Sequence, residues 1–290
     1  MRLSAVEGNR QKLDGGSMFG NAPRPLWERW YSPDEIGRIE LACRAMLIES
    51  ESEKILCETG IGAFFEPKLA ERYGVQDVAT HRLLESLEAL GVNEDAIDFV
   101  ILSHLHFDHA GGLLPSYVES QKGKGDLLFP KARYVVGEEA WERCKNPHFR
   151  DRASFIPGLW EKLEASGRLL IVPKRQTSLS KLPSYISFRY SDGHTPGHMH
   201  TIARGQDSTV CFCGDLIPGT AWVHLPITMG YDRYPEKLID EKADLYDKAF
   251  AEKWLLFFTH DPVVPAAYIR KEKDRFVVEN AVKNLTQMPL

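Results

Sequence analysis

The feature that most constrains this chain is the stretch Ser103-His104-Leu105-His106-Phe107-Asp108-His109-Ala110-Gly111-Gly112. Three histidines and one aspartate fall between positions 104 and 109, directly after the apolar run Phe99-Val100-Ile101-Leu102. A short, continuous run of mostly β-branched or aromatic residues reads as a buried strand. The polar cluster therefore sits where the chain leaves a rigid support. Imidazoles and carboxylates at this density are costly to bury without partners. A divalent cation is the partner that uses all four. His104 and His106 are two apart, so in extended backbone they point the same way and can grip one ion. Asp108 and His109 follow once the chain begins to turn, where they can face a second ion beside the first.

The 290 residues, 43% hydrophobic and 27% charged, have room for a sizeable core. Large α/β folds run this long as one unit, so a single domain over 1–290 is expected, with loop insertions near 10–30 and 113–130. A net charge of −5 and the lack of a lysine/arginine block suggest neither a nucleic-acid partner nor an anionic membrane. No apolar run approaches the roughly 18–20 residues that span a bilayer, and Met1 to Gly8 lacks the apolar core of a secretory signal. Five cysteines, few and odd in number, favour a reduced, cytoplasmic setting. Cys211 and Cys213 share one face of an apparent strand and read as buried small hydrophobes rather than zinc ligands.

Along the chain, 45–49 and 54–58 read as a hairpin. Leu83, Leu84, Leu87 and Leu90 form a helical stripe, with Thr80 as its N-cap and Gly91 as its stop. Residues 132–136, 169–172 and 185–190 are strand-like. Residues 138–145 and the stretch around Leu159 to Leu163 are helix-like, and Pro235 opens a long amphipathic helix. The first 30 residues read as a strand and an irregular loop ending in Trp27 and Trp30, while His81 and His148 read as solvated. Polar groups then recur at strand ends. Ser187 to Tyr190 runs into Asp192-Gly193-His194-Thr195-Pro196-Gly197-His198, Val210 to Cys213 into Gly214-Asp215, and Trp254 to Phe258 into Thr259-His260. Continuous apolar strands need cover on both faces, which implies sheets sandwiched between helices.

His104-x-His106-x-Asp108-His109, His198 in a Thr-Pro-Gly-His turn, Asp215 after glycine and His260 after a strand together resemble the metallo-β-lactamase superfamily. The motif blocks occur in order and span most of the chain. The resemblance implies an α/β fold, a four-layer α-β-β-α sandwich with metals at one edge between the sheets. It implies His104, His106 and His198 on one metal, Asp108, His109 and His260 on the other, and Asp215 bridging them. Nitrogen and carboxylate ligands suit two zinc ions, with manganese, iron or cobalt as alternatives. The family's usual aspartate before Thr-Gly-x-Gly is here Glu58, placed to support a ligand histidine from behind. His194 reads either as a similar support or as a loop-structural residue, and His200 as structural. A homodimer is a family-level expectation.

The ligand set resembles the dinuclear hydrolases of the family rather than its single-iron dioxygenases or flavodiiron reductases. Residues 216–232, proline-rich, apolar and aromatic, resemble the lactonase and methyl-parathion-hydrolase-like branch. The resulting expectation is a metal-dependent hydrolase of small neutral esters or lactones. A hydroxide shared by the two ions is the nucleophile, and Asp108 is the candidate proton carrier. An organophosphate triester or a phosphodiester at the same site is the second reading, and a metal-holding protein without turnover the third. Phe19, Trp27, Trp222, His224, Met229 and Tyr231 are the candidate pocket walls. Pro218 and Gly219 stand where signal lactonases of the family often carry a tyrosine.

Overall fold

Alternation along the central strands decides the layering. In Phe99–Leu102 the side chains of Val100 and Leu102 join one core, while Ile101 joins another. Leu255 and Phe257 likewise join that second core, and Leu256 and Phe258 a third. Side chains alternate across a strand, so each sheet has two buried faces and three cores stack between four layers. In the computed structural model, which describes residues 1–125 and 127–290, this is the arrangement seen. Helices Arg82–Ala89, Glu138–Lys145 and Leu159–Ala165 cover one sheet, and helix Pro235–Ala251 covers the other.

The first sheet runs Met288–Pro289, Arg2–Val6, Ala45–Glu49, Lys54–Cys57, Phe99–Leu102, Arg133–Gly137, Leu169–Val172. The last four of these pair in parallel, so their carboxyl ends share one rim. The second sheet runs Arg275–Val282, Ala266–Glu272, Leu255–Phe257, Thr209–Phe212, His198–Arg204, Ile186–Ser191. A separate ribbon pairs Gln11–Asp14 with Arg38–Leu41, Gln11 opposite Leu41. The expected hairpin is present, with Met46 opposite Cys57. All five cysteines are free and buried. Among the described residues, no helix is long and apolar enough to cross a membrane.

Several local expectations are corrected. Helix Arg82–Ala89 is capped by a distant residue rather than by Thr80. Asn9 accepts from the Arg82 N–H at 3.1 Å and donates to the Thr80 carbonyl at 2.9 Å. His81, expected in solvent, is buried beside this junction. The 10–30 stretch is ordered by its own caps: Asp14 accepts from Ser17 N at 2.7 Å, opening Gly15–Phe19, and Pro25 lies in the first turn of Arg24–Trp27. Within 113–130, Ser116 and Glu119 form a capping box for Tyr117–Gln121, while residue 126 lies outside the described residues.

The loop from 217 to 232 is held from both sides. Asn21 bonds to Pro226 O and Thr228 N, the Trp222 ring N–H donates to Met18 O at 3.0 Å, and Gly230 N donates to Ser17 O at 2.8 Å. From the covering helix, the buried Lys242 ammonium donates to the carbonyls of His224, Leu225 and Ile227 at 3.2, 3.1 and 2.9 Å. Replacing Lys242 with methionine strips three buried carbonyls of their donor. The unfolding free energy is expected to fall by about 2–3 kcal/mol, read as a lower urea midpoint at unchanged m value.

Candidate metal centre

The polar groups converge where strands of both sheets end. His104 and His106 continue from Phe99–Leu102, and the chain then turns into Phe107–Ala110, which carries Asp108 and His109. His194 comes from the loop between Ile186–Ser191 and His198–Arg204, Asp215 from the turn Gly214–Leu216, and His260 from just beyond Leu255–Phe257. Gly214 is needed at that turn. Its φ is +49°, and a Cβ there would lie 2.6 Å from His198 Nε2.

Three groups of ligand atoms form: His104 with His106 and His194, Asp108 with His109 and His260, and Glu58 with His104 and His109, in which Glu58 is already spent on hydrogen bonds to Ser103 and His109. His106 Nδ1 lies 3.3 Å from His194 Nε2, and His109 Nε2 lies 3.3 Å from His260 Nε2. Asp215 stands between the first two groups. Its Oδ2 is 3.1 Å from His194 Nε2 and 3.3 Å from His109 Nε2, and its Oδ1 is 3.2 Å from His260 Nε2. Asp108 reaches His109 Nε2 and His260 Nε2 at 3.7 Å each.

Outer partners settle which ring nitrogens face inward. His109 Nδ1 donates to Glu58 Oε2 at 2.7 Å, His194 Nδ1 to Asp232 Oδ1 at 2.9 Å, and His260 Nδ1 to the Ala42 carbonyl at 2.7 Å. Ser103 Oγ donates to Glu58 Oε1, so it accepts from His104 Nδ1 at 2.8 Å. With the Nδ1 protons committed, the Nε2 atoms of these four rings face inward. His109 Nε2 and His260 Nε2 stand 3.3 Å apart, a spacing that needs either a shared proton or a cation between them. A tetrahedral cation with ligands at about 2.0–2.1 Å holds them about 3.3 Å apart. His104 Nε2 and Asp215 Oδ1 are also buried without a hydrogen-bond partner. The donor set fits divalent cations.

Electrostatics points the same way. Burial and the neighbouring imidazoles hold His104 and His106 well below the usual histidine range, so both are neutral ligands. Burial also opposes charge on His109, His194 and His260, but carboxylates outweigh it and raise all three. Asp215 is pushed up by burial, yet His109, His194 and His260 hold it well below the carboxylate range.

His194, not His198, joins His104 and His106. His198 Nε2 accepts the Asp215 backbone N–H at 3.2 Å, and its Nδ1 faces His200 and Ser191. Both nitrogens are thus engaged within the protein. His200 bonds to the Cys213 carbonyl at 3.1 Å, a structural role as expected. Two residues missed from sequence matter here: Asp232, which orients His194, and Gln11, whose amide reaches Asp108. Neither lies within a motif, so no sequence pattern announces them.

The profile of the metallo-β-lactamase superfamily matches residues 38–260. This chain belongs to the metallo-β-lactamase superfamily. It is a metal-dependent hydrolase with a histidine and carboxylate site for divalent ions. Among relatives, an N-acyl homoserine lactonase of Bacillus thuringiensis is 25% identical over 233 residues, covering 74% of this chain and 79% of the relative. The structure of a probable metal-dependent hydrolase from Staphylococcus aureus superposes with a TM-score of 0.83 at 25% identity, covering 97% of both chains. AidC, a dizinc quorum-quenching lactonase, shares the fold with a TM-score of 0.76 at 20% identity, covering 97% of this chain and 94% of its own.

The centre opens to a cavity of about 370 Å³. His106, Asp108, His194, Asp215 and His260 line its floor, while Leu13, Met18, Leu41, Tyr73, Phe107 and Met229 form apolar walls. Tyr231, Arg72 and Arg150 are also on its lining. Of the expected walls, Met229 and Tyr231 lie on this lining. Phe19, Trp27 and Trp222 are buried behind them as a stack, with Phe19 and Trp222 ring centroids 4.5 Å apart. Burying these large rings contributes more to the core than exposing them to a ligand would. His224 faces a separate cavity, with Trp30, Val263 and Phe276.

Exchanging His194 for alanine is expected to lower bound metal per chain more than His198→Ala, which removes only the acceptor of the Asp215 backbone N–H; elemental analysis of dialysed protein reads the difference. Asp232→Ala should weaken metal affinity about 10–100-fold. Because His109, His194 and His260 hold protons that a cation must expel, affinity should fall as pH drops. Calorimetry in buffers of different ionisation enthalpy would register the released protons.

Proposed function

We propose that this chain is a dinuclear hydrolase of small neutral lactones and carboxylic esters. One observation carries the reading: Asp215 stands within 3.3 Å of nitrogens from both ligand groups, at the floor of an apolar-walled cavity. In this reading His104, His106 and His194 hold one ion, Asp108, His109 and His260 hold the other, and Asp215 bridges. Zinc suits the donor set. Two such ions would lower the pKa of water to about 7 and offset negative charge on the carbonyl and leaving oxygens.

The chain's own residues supply the rest. The apolar walls take up the hydrocarbon part of the substrate and exclude bulk water from the reacting carbonyl. Asp108 lies on the cavity lining, where its carboxyl can carry a proton to the departing alkoxide. Burial keeps the Tyr231 phenol above its usual value. It therefore stays protonated and can donate to a substrate carbonyl. The relatives that hydrolyse N-acyl homoserine lactones favour a lactone over a phosphotriester.

The test is a panel of N-hexanoyl homoserine lactone, an aryl ester and an aryl phosphotriester, assayed with zinc-loaded and chelated protein. Turnover of the lactone or ester, abolished by chelation and restored by zinc, is expected. No lactone or ester hydrolysis above background ends the substrate reading. Asp215→Ala should lose metal and turnover together, and retained turnover would refute the bridging assignment.

A further inference from the structure

We propose that Gln11 is a positioning residue for Asp108, and that the ribbon carrying it supports the second cation selectively. The inference rests on the two-ion reading above. Gln11 lies before residue 38, where the family profile begins to match, yet its side chain is fully buried at the centre. Its Nε2 donates to Asp108 Oδ2 at 2.9 Å. Among the described residues this is the one hydrogen bond that reaches the Asp108 carboxylate, since the His109 and His260 rings stand 3.7 Å away. Asp108 faces the cavity, and without that donor nothing else fixes the direction of its side chain. A charge-assisted bond from a buried amide does so.

The ribbon is itself held firmly. Gln11 pairs with Leu41, Lys12 N donates to Gly74 O at 2.9 Å, and Gln76 N donates to Arg10 O at 2.7 Å. Its second strand leads directly into Ala42, whose carbonyl receives His260 Nδ1 at 2.7 Å. Two of the three side chains in the Asp108, His109 and His260 group are therefore oriented from one ribbon. The His104, His106 and His194 group takes its support from Ser103 and Asp232 instead. Loosening Gln11 should act on one ion and spare the other.

The experiment titrates zinc into metal-free wild-type protein, Gln11→Met and Gln11→Ala against a competing chelator. Thermal melting of each metal-free protein and the visible spectrum of the cobalt form are recorded alongside. In both variants the second binding step should weaken about 10–100-fold. The first step should stay within about twofold, and the metal-free melting temperature should not change. Cobalt absorption from the second ion should fall in parallel. Wild-type binding in both steps overturns the proposal. So does equal weakening of both steps with a lower melting temperature or loss of folding, which marks a merely structural residue. A wild-type protein that takes up one ion only overturns the two-ion reading itself, and is told apart because it appears before any substitution.

Discussion

The structure depends on one electrostatic constraint: several inward-facing lone pairs and carboxylate oxygens are confined to a volume too small for water to separate them. Neutral His104 and His106, the ionised Asp215 and the paired Nε2 atoms of His109 and His260 cannot be neighbours at 3.3 Å without positive charge among them. Metal-free, carboxylates keep extra protons on His109, His194 and His260. A divalent cation would take their place, and the rings are already held by their outer partners, so the site is preformed.

That preformation comes from outside the ligand set. Glu58 holds His109 directly and His104 through Ser103, so one buried carboxylate orients a ring from each group. It does so from a left-handed backbone conformation, φ 63°, at the end of strand Lys54–Cys57. Asp232 holds His194 and also accepts Met229 N at 2.6 Å, tying a cavity wall to a ligand ring. His198, displaced from the ligand set, holds the turn that presents Asp215. Buried polar networks of this kind are stable only when every member is satisfied. Here His104 Nε2, His106 Nε2 and Asp215 Oδ1 have no hydrogen-bond partner, and divalent cations would complete the count.

Cavity shape is decided by two segments that clasp each other, residues 11–31 and 217–232. The aromatic stack of Phe19, Trp27 and Trp222 is the apolar bond between them. Hydrogen bonds from Asn21 and Trp222 and to Ser17 O fix their register. Lys242 ties the second segment to its covering helix. The floor belongs to the ends of the two sheets, whereas the clasp supplies Leu13, Met18, Met229 and Tyr231 to the walls and, through Gln11 and Asp232, also orients Asp108 and His194.

Sequence alone was enough for the layered α/β sandwich, because continuous apolar strands demand cover on both faces. It singled out His104, His106, Asp108 and His109, because their density has no inexpensive apolar explanation, while Asp215 and His260 entered only as what the resemblance to the family implied. It also placed Glu58 behind a ligand ring. Sequence pointed to His198 as the ligand and His194 as a support, four residues apart on either side of one Thr-Pro-Gly turn, and the structure reverses the two. Only the strand beginning at His198 decides that, by turning His198 toward the Asp215 backbone and leaving His194 in the loop that reaches the centre. Nor could it tell a wall from a core for Phe19, Trp27 and Trp222, since apolar rings serve equally in both. Asn9, Gln11, Ala42 and Asp232 act across distances that no local pattern records. Local chemistry names the groups that need a partner; the tertiary fold decides which partner comes within reach.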